Sequence, residues 1–182
     1  IQTFAAIDVS SFEMELGIYE ISQKNGIRVI DRVRHPIVLG RDVYNGRKIT
    51  YDTMDEMCRI LEDFSRIMKG YKVQAYRAYA TSALRNARNN QIVLDHIKVR
   101  TDLDVKIISN SEHRFISYKA IAAKAGEFNK IIQKGTAIVD VGFGSAQLSL
   151  FDKDSLVTTQ NLPLGTLRVR GLLANIPATV AE

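Results

Sequence analysis

Two short segments each end an apolar run on a carboxylate and follow it with small residues. They are Phe4-Ala-Ala-Ile-Asp8 with Ser10-Ser11, and Ile138-Val-Asp140 with Gly142-Phe143-Gly144-Ser145. This combination suits an anion held beside a cation. Small residues let the backbone come close to a phosphate and aim N–H groups at it, and an aspartate can hold Mg²⁺ directly or through water. Ser10, Ser11, Gly142, Gly144 and Ser145 are thus candidate phosphate-binding residues, and Asp8 and Asp140 are candidate metal ligands. A plainer purpose also fits: glycines permit tight hairpins and aspartates end strands. Spacing alone leaves both readings open.

The elements that must carry these residues follow from periodicity. Residues 2–8 form a short strand, and Phe12, Met14, Leu16 and Ile18 alternate with polar neighbours as a second. Asn25-Gly26 is a turn signal, and 27–35 alternate again as a third antiparallel strand. Gly40 and Gly46 bracket what reads as a polar loop. Thr50 can cap a helix whose apolar positions Met54, Met57, Cys58, Leu61, Phe64 and Met68 recur at three and four, with Gly70 as its stop. Strands are expected over 73–80 and 104–109, a short basic helix after Thr81-Ser82, and a helix over about 91–99. Ser109 or Ser111 caps a further helix ending near Gly126.

After a polar link over 127–134 the opening pattern restarts. A strand ending at Asp140, a glycine-containing turn, a strand over 146–151, a turn at 152–155 and a strand from 156 to 161 repeat the architecture of the first strands. The repeat predicts two similar α/β units, 1–126 and an incomplete 135–182, whose Asp-bearing turns face each other across a cleft. The absence of an initial Met and the new amphipathic segment near the end suggest a piece of something longer. Residues 135–182 are accordingly expected to lean on further chain or on a neighbouring molecule.

Composition narrows the class. With 46% hydrophobic and 25% charged residues, the chain is neither a disordered nor a membrane-spanning sequence. Its 25 Lys and Arg against 20 Asp and Glu give +5, dispersed along the chain, which mildly favours an anionic ligand. A single cysteine, Cys58, can form neither an internal disulfide nor a thiolate cage and sits on an apolar helix face, in keeping with a reducing, cytoplasmic setting.

Several segments together resemble the exopolyphosphatase and guanosine pentaphosphate phosphohydrolase (Ppx/GppA) family, itself similar to the actin, Hsp70 and sugar-kinase superfamily. They are Phe4–Asp8 with Ser11-Phe12, Leu39-Gly40, Ala80-Thr-Ser-Ala-Leu-Arg-Asn-Ala87, Ile107-Ile-Ser109 with Glu112, Ile138–Ser145, and Leu162-Pro-Leu-Gly-Thr-Leu-Arg168. The resemblance implies a ribonuclease-H-like (actin-like ATPase) α/β domain, a mixed sheet with helices on both faces, followed by the start of a second similar unit. It implies Mg²⁺-dependent release of terminal phosphate from polyphosphate or a guanosine polyphosphate, with no DNA or RNA and no membrane as partners. A homodimer is compatible with it. Arg85 matches the basic residue of the family's Ala-Thr-x-Ala-x-Arg-x-Ala segment and is the best phosphate candidate there, because a guanidinium fork holds two phosphoryl oxygens. Arg41 and Arg88 could extend a basic track, though each also reads as ordinary surface.

The chain departs from the family where chemistry should occur. The first turn, Asp8-Val-Ser-Ser-Phe12, is shorter and lacks the family's glycine. In Ser-Gly-x-Glu-Glu-Ala the second glutamate is the family's proposed base. Here Ser109-Asn-Ser-Glu112-His113-Arg114 puts His113 at that position, an imidazole with an ordinary pKa of about 6.5 that can accept a proton near neutrality. Glu112 stands about 100° around the helix from it. Gln147 replaces an acidic residue: it can hydrogen-bond a water but cannot deprotonate it. Phe143 stands where the family has glycine. His113, Glu112 and Gln147 are the candidate catalytic residues. The main expectation is a family-type hydrolase, and the alternative is a weak or inactive relative that binds phosphate or nucleotide in a regulatory role. A sugar- or acetate-kinase relative would need an adenosine-binding region that the sequence does not show.

Overall fold

In the first strands the alternation of side chains settles which face is buried. The computed structural model describes residues 2–125, 128–174 and 176. Strands β1 (Gln2–Val9), β2 (Glu13–Ser22) and β3 (Gly26–Pro36) form an antiparallel meander. The β1–β2 register sets Ala5 opposite Ile18, Ile7 opposite Leu16 and Val9 opposite Met14, so all six point to one face, and all are buried. The turn into β3 uses Gly26 at φ +64°, a conformation that suits glycine.

The chain then forms α1 (Leu39–Gly46) and α2 (Tyr51–Gly70). Thr50 caps α2, its hydroxyl accepting from the Thr53 N–H at 3.3 Å while Asp42 accepts from both threonine hydroxyls. Met54, Met57, Cys58, Leu61, Phe64 and Met68 all enter the core as their spacing requires. Strand β4 (Ala75–Ala80) runs parallel to β1, and its Ala78 and Ala80 continue the buried face beside Ile7 and Val9. After α3 (Ser82–Asn86) and α4 (Asn90–Thr101), the short β5 (Lys106–Ile107) completes a five-stranded mixed sheet in the order β3-β2-β1-β4-β5.

The second unit carries α5 (Asn110–Ala125), α6 (Phe128–Ile132), β6 (Thr136–Val141), β7 (Ala146–Asp152), β8 (Ser155–Leu162) and α7 (Thr166–Leu173). Its three strands form an antiparallel meander in the order β6-β7-β8, so the expected repetition of the opening architecture is present. Ser149 and Phe151 are buried on one face, whereas Val139 and Val141 on the other are each 60% exposed.

Contacts divide the chain into the compact units Ile1–Ile107 and Ile108–Glu182. This differs from the boundary expected near Gly126, which itself lies outside the described residues. Helix α5 groups with the second unit because its side chains bond to β6 and β7. Three local expectations also change. Residues 39–46 are a helix rather than a loop, the strand expected over 104–109 is confined to Lys106–Ile107, and the polar link contains α6. Among the described residues no helix is long and apolar enough to cross a membrane.

Candidate functional site

In the first unit, Asp8 lies near the end of β1 on the face opposite the core, directly across from Glu15. Solvent reaches it, yet its carboxyl is raised to about 6 by partial desolvation first and by the negative charges of Glu15 and Glu13 after that. Glu15 itself is drawn toward Arg34 at 2.5 Å and Arg32 at 3.4 Å, and among the described residues no ion pair of this kind reaches Asp8.

In the turn after β1, Ser10 and Ser11, expected as phosphate-binding residues, have partners within the protein. The Ser10 N–H and hydroxyl both donate to the Glu13 carbonyl, at 3.0 and 2.9 Å. Ser11 is 1% exposed, and its hydroxyl is bonded to Tyr44 of α1 and Ser82 of α3, each at 2.8 Å. These serines fasten the turn to two helices. Position 40 has a similar use, its N–H donating to the Ser11 carbonyl at 2.8 Å. Arg85 follows on α3, half-buried, its pKa lowered by desolvation and offset in part by Tyr44. A guanidinium with so high an ordinary pKa stays charged despite this, so partial burial strengthens its attraction for an anion. Arg41 and Arg88 are exposed.

In the second unit, the sequence candidates come together from three elements. His113 of α5 stands with Nε2 3.9 Å from Asp140 Oδ2 on β6, and its Nδ1 lies 3.4 Å from Gln147 Nε2 on β7. Ser117, one helical turn beyond His113, donates to Asp140 Oδ2 at 2.9 Å, and Tyr118 bonds to the buried Ser149. The register explains the convergence: Asp140 and Gln147 are cross-strand partners, so both face α5. Gln147 is 3% exposed. Ser117 was missed in the sequence, although its i+4 offset from His113 places it on the same helix face.

Glu112 is differently employed. Its carboxylate accepts from the Ser109 N–H at 2.8 Å while the Ser109 hydroxyl accepts from the Glu112 N–H at 3.1 Å, a reciprocal capping box. Of the two proposed caps, Ser109 is the one used. In the turn over 142–145 part of the backbone is engaged within the second unit. The Gly142 N–H closes the turn on the Ser145 carbonyl, and the carbonyls of Gly142 and Phe143 accept from Thr166 and Leu167 at the start of α7. The Gly144 carbonyl accepts from Arg168 Nε at 3.1 Å. A Cβ on Gly165 would come within 2.3 Å of the Phe143 and Gly144 backbone, so this glycine is required by close approach.

The donor chemistry suits Mg²⁺, which binds through one or two carboxylates plus phosphate oxygens and needs no cage of protein ligands. Asp8 in the first unit and Asp140 in the second are each a carboxylate of this kind, considered separately, and the raised pKa of Asp8 marks a charge that a cation would relieve. Among the described residues no group of three or more His, Cys, Asp or Glu gathers.

The five-stranded mixed sheet, followed by a second three-stranded meander, defines an actin-like α/β protein. The chain belongs to the Ppx/GppA phosphatase family, whose model matches residues 18–173. It is 21% identical over 164 residues to exopolyphosphatase 1 of Mycobacterium tuberculosis, covering 90% of this chain and 46% of that protein. It is 20% identical over 171 residues to the bifunctional 3-dehydroquinate synthase/phosphatase of Fusobacterium nucleatum, covering 91% of this chain and 25% of that one. The crystal structure of an exopolyphosphatase from Cytophaga hutchinsonii superposes with a TM-score of 0.82 at 22% identity, over 94% of this chain and 53% of that one. The chain thus spans about half the length of the exopolyphosphatases it matches, and less of the bifunctional protein.

Proposed function

We propose that this chain is the phosphate-handling part of a phosphohydrolase that releases terminal phosphate from inorganic polyphosphate or guanosine pentaphosphate. The observation that carries this reading is the convergence of His113, Asp140 and Gln147, from three separate elements, on one face of the second unit. Family membership supports the reaction class.

In this reading the guanidinium of Arg85 in the first unit binds phosphoryl oxygens, and each unit has one carboxylate that would hold Mg²⁺, Asp8 in the first and Asp140 in the second. The bound ion would supply neutralisation of the phosphoryl charge. His113 accepts the proton of the attacking water, and its place beside Asp140 favours the imidazolium that results. Gln147 keeps the ring in place from the buried side. Glu112 acts by holding the start of α5, and with it the position of His113.

Phosphate release from polyphosphate and from guanosine pentaphosphate, with Mg²⁺ and the full chain, tests the proposal. The wild type is expected to turn over at least one of the two, and Asp140→Asn to lose about 100-fold or more. No release from either substrate by the wild type would remove the reading.

A further inference from the structure

Two buried amide oxygens on neighbouring strands lack any hydrogen-bond partner: Oε1 of Gln147, the residue beside His113, and Oδ1 of Asn161, its cross-strand partner. A third, Asn110 Oδ1, lies at the start of α5. Leaving a buried acceptor unpaired costs about 1–3 kcal/mol, so two in adjacent positions call for an explanation. Their adjacency is set by register. Gln147 on β7 pairs with Asp140 on one side and with Asn161 of β8 on the other, so the three side chains form one row across the sheet, on the face covered by α5. Directly opposed residues have Cβ atoms about 4.5–5.5 Å apart, within reach of two amides.

With Gln147 Nε2 toward His113, the amide donates to Nδ1, and a neutral ring must then carry its proton on Nε2, the nitrogen facing Asp140. A base protonated there has its lone pair on the wrong side, turned into the protein. A half-turn of the Gln147 amide, which exchanges O and N within the same volume, reverses every part of this.

We propose that Gln147, backed by Asn161, fixes the tautomer of His113: His113 Nδ1–H donates to Gln147 Oε1, Gln147 Nε2–H donates to Asn161 Oδ1, and the lone pair of His113 Nε2 is left facing the Asp140 side. In this arrangement each of the two orphaned oxygens gains a donor. The arrangement also gives Gln147 a positioning role that a carboxylate at this place could not perform, because an amide both accepts from the ring and donates to Asn161, whereas an ionised carboxylate only accepts. Asn161 becomes a further positioning residue, acting through Gln147. The inference rests on the proposed reading of His113 as the proton acceptor, but its test does not depend on turnover.

The test is ¹⁵N NMR of the full chain with labelled histidine, at about pH 8 where an ordinary imidazole is neutral. The His113→Gln spectrum identifies which resonances belong to His113 rather than His35 or His96. The wild type is expected to show a protonated Nδ1 and an unprotonated Nε2, and Asn161→Leu to lose that preference, with Nδ1 moving to the unprotonated range. A wild-type His113 protonated on Nε2, as a buried water satisfying both oxygens would leave it, overturns the proposal whatever the variants do. An unchanged tautomer in folded Asn161→Leu overturns the part given to Asn161. If the tautomer is as stated but no phosphate is released from any substrate, the device stands and the hydrolase reading fails. If phosphate is released by a chain with the opposite tautomer, the reverse holds.

Discussion

Asp8 shows how a residue's position decides its charge. The carboxyl is raised from 3.8 to about 6 by desolvation, then by Glu15 and Glu13, so the native state holds its proton more tightly than the unfolded chain does. Its contribution to stability is therefore full below about 3.8, declines as pH rises, and is gone above about 6. Because water reaches the carboxyl, the energy involved is smaller than the shift alone would give. Asp8→Asn should remove this decline. Urea titrations of both proteins at several pH values between 4 and 7 should show the variant gaining on the wild type as pH rises; an identical pH profile would contradict the cause assigned here. The residue types at Asp8, His113, Asp140 and Gln147 were legible in the sequence. What their neighbours do was not. That Ser11 is buried against Tyr44 and Ser82, 33 and 71 residues away, depends on packing that no local spacing records.

At the scale of elements, strong periodicity was readable and short elements were not. Helix α2 has twenty residues and seven buried positions, enough to show its period, whereas α1 has two turns, buried Leu39, Gly40 and Val43, and glycines at 40 and 46, and its sequence resembles a loop. Strand β5 pairs with β4 only through Tyr79 and Ala80, a stretch too short for alternation to show in the sequence. The start of α5 shows how an element serves the site. Ser109→Ala should cost about 1 kcal/mol in chemical denaturation, as loss of an N-cap does. Glu112→Gln, which keeps a capping-box acceptor, should cost less and retain phosphate release. A severe loss of release in a well-folded Glu112→Gln protein would instead make this carboxylate a direct participant.

For the whole molecule, the buried apolar residues are unevenly shared. The core cluster lies within the first unit, from Ala5 to Leu103, while the second unit's buried apolar residues among those described are Ile108, Ile132 and Phe151. Backbone amides of β1 and β2 should therefore exchange with solvent at higher free energy than those of β6–β8, a difference native-state hydrogen exchange would measure. Equal protection would show that the second unit draws on stabilisation not visible in its apolar burial. The duplicated meander was evident from sequence because strand, aspartate and turn recur in order. The grouping of α5 with the second unit was not, because it depends on bonds from Ser117, Tyr118 and His113 to strands more than twenty residues further on.

The account stands most directly on His113 as the group that takes the proton. The deciding measurement is the rate of Mg²⁺-supported phosphate release from polyphosphate by the wild type, His113→Ala and His113→Glu, the last restoring the carboxylate of the family pattern. The predicted result is a loss of about 10² to 10⁴ in His113→Ala with substantial recovery in His113→Glu. Release by folded His113→Ala at the wild-type rate would contradict it.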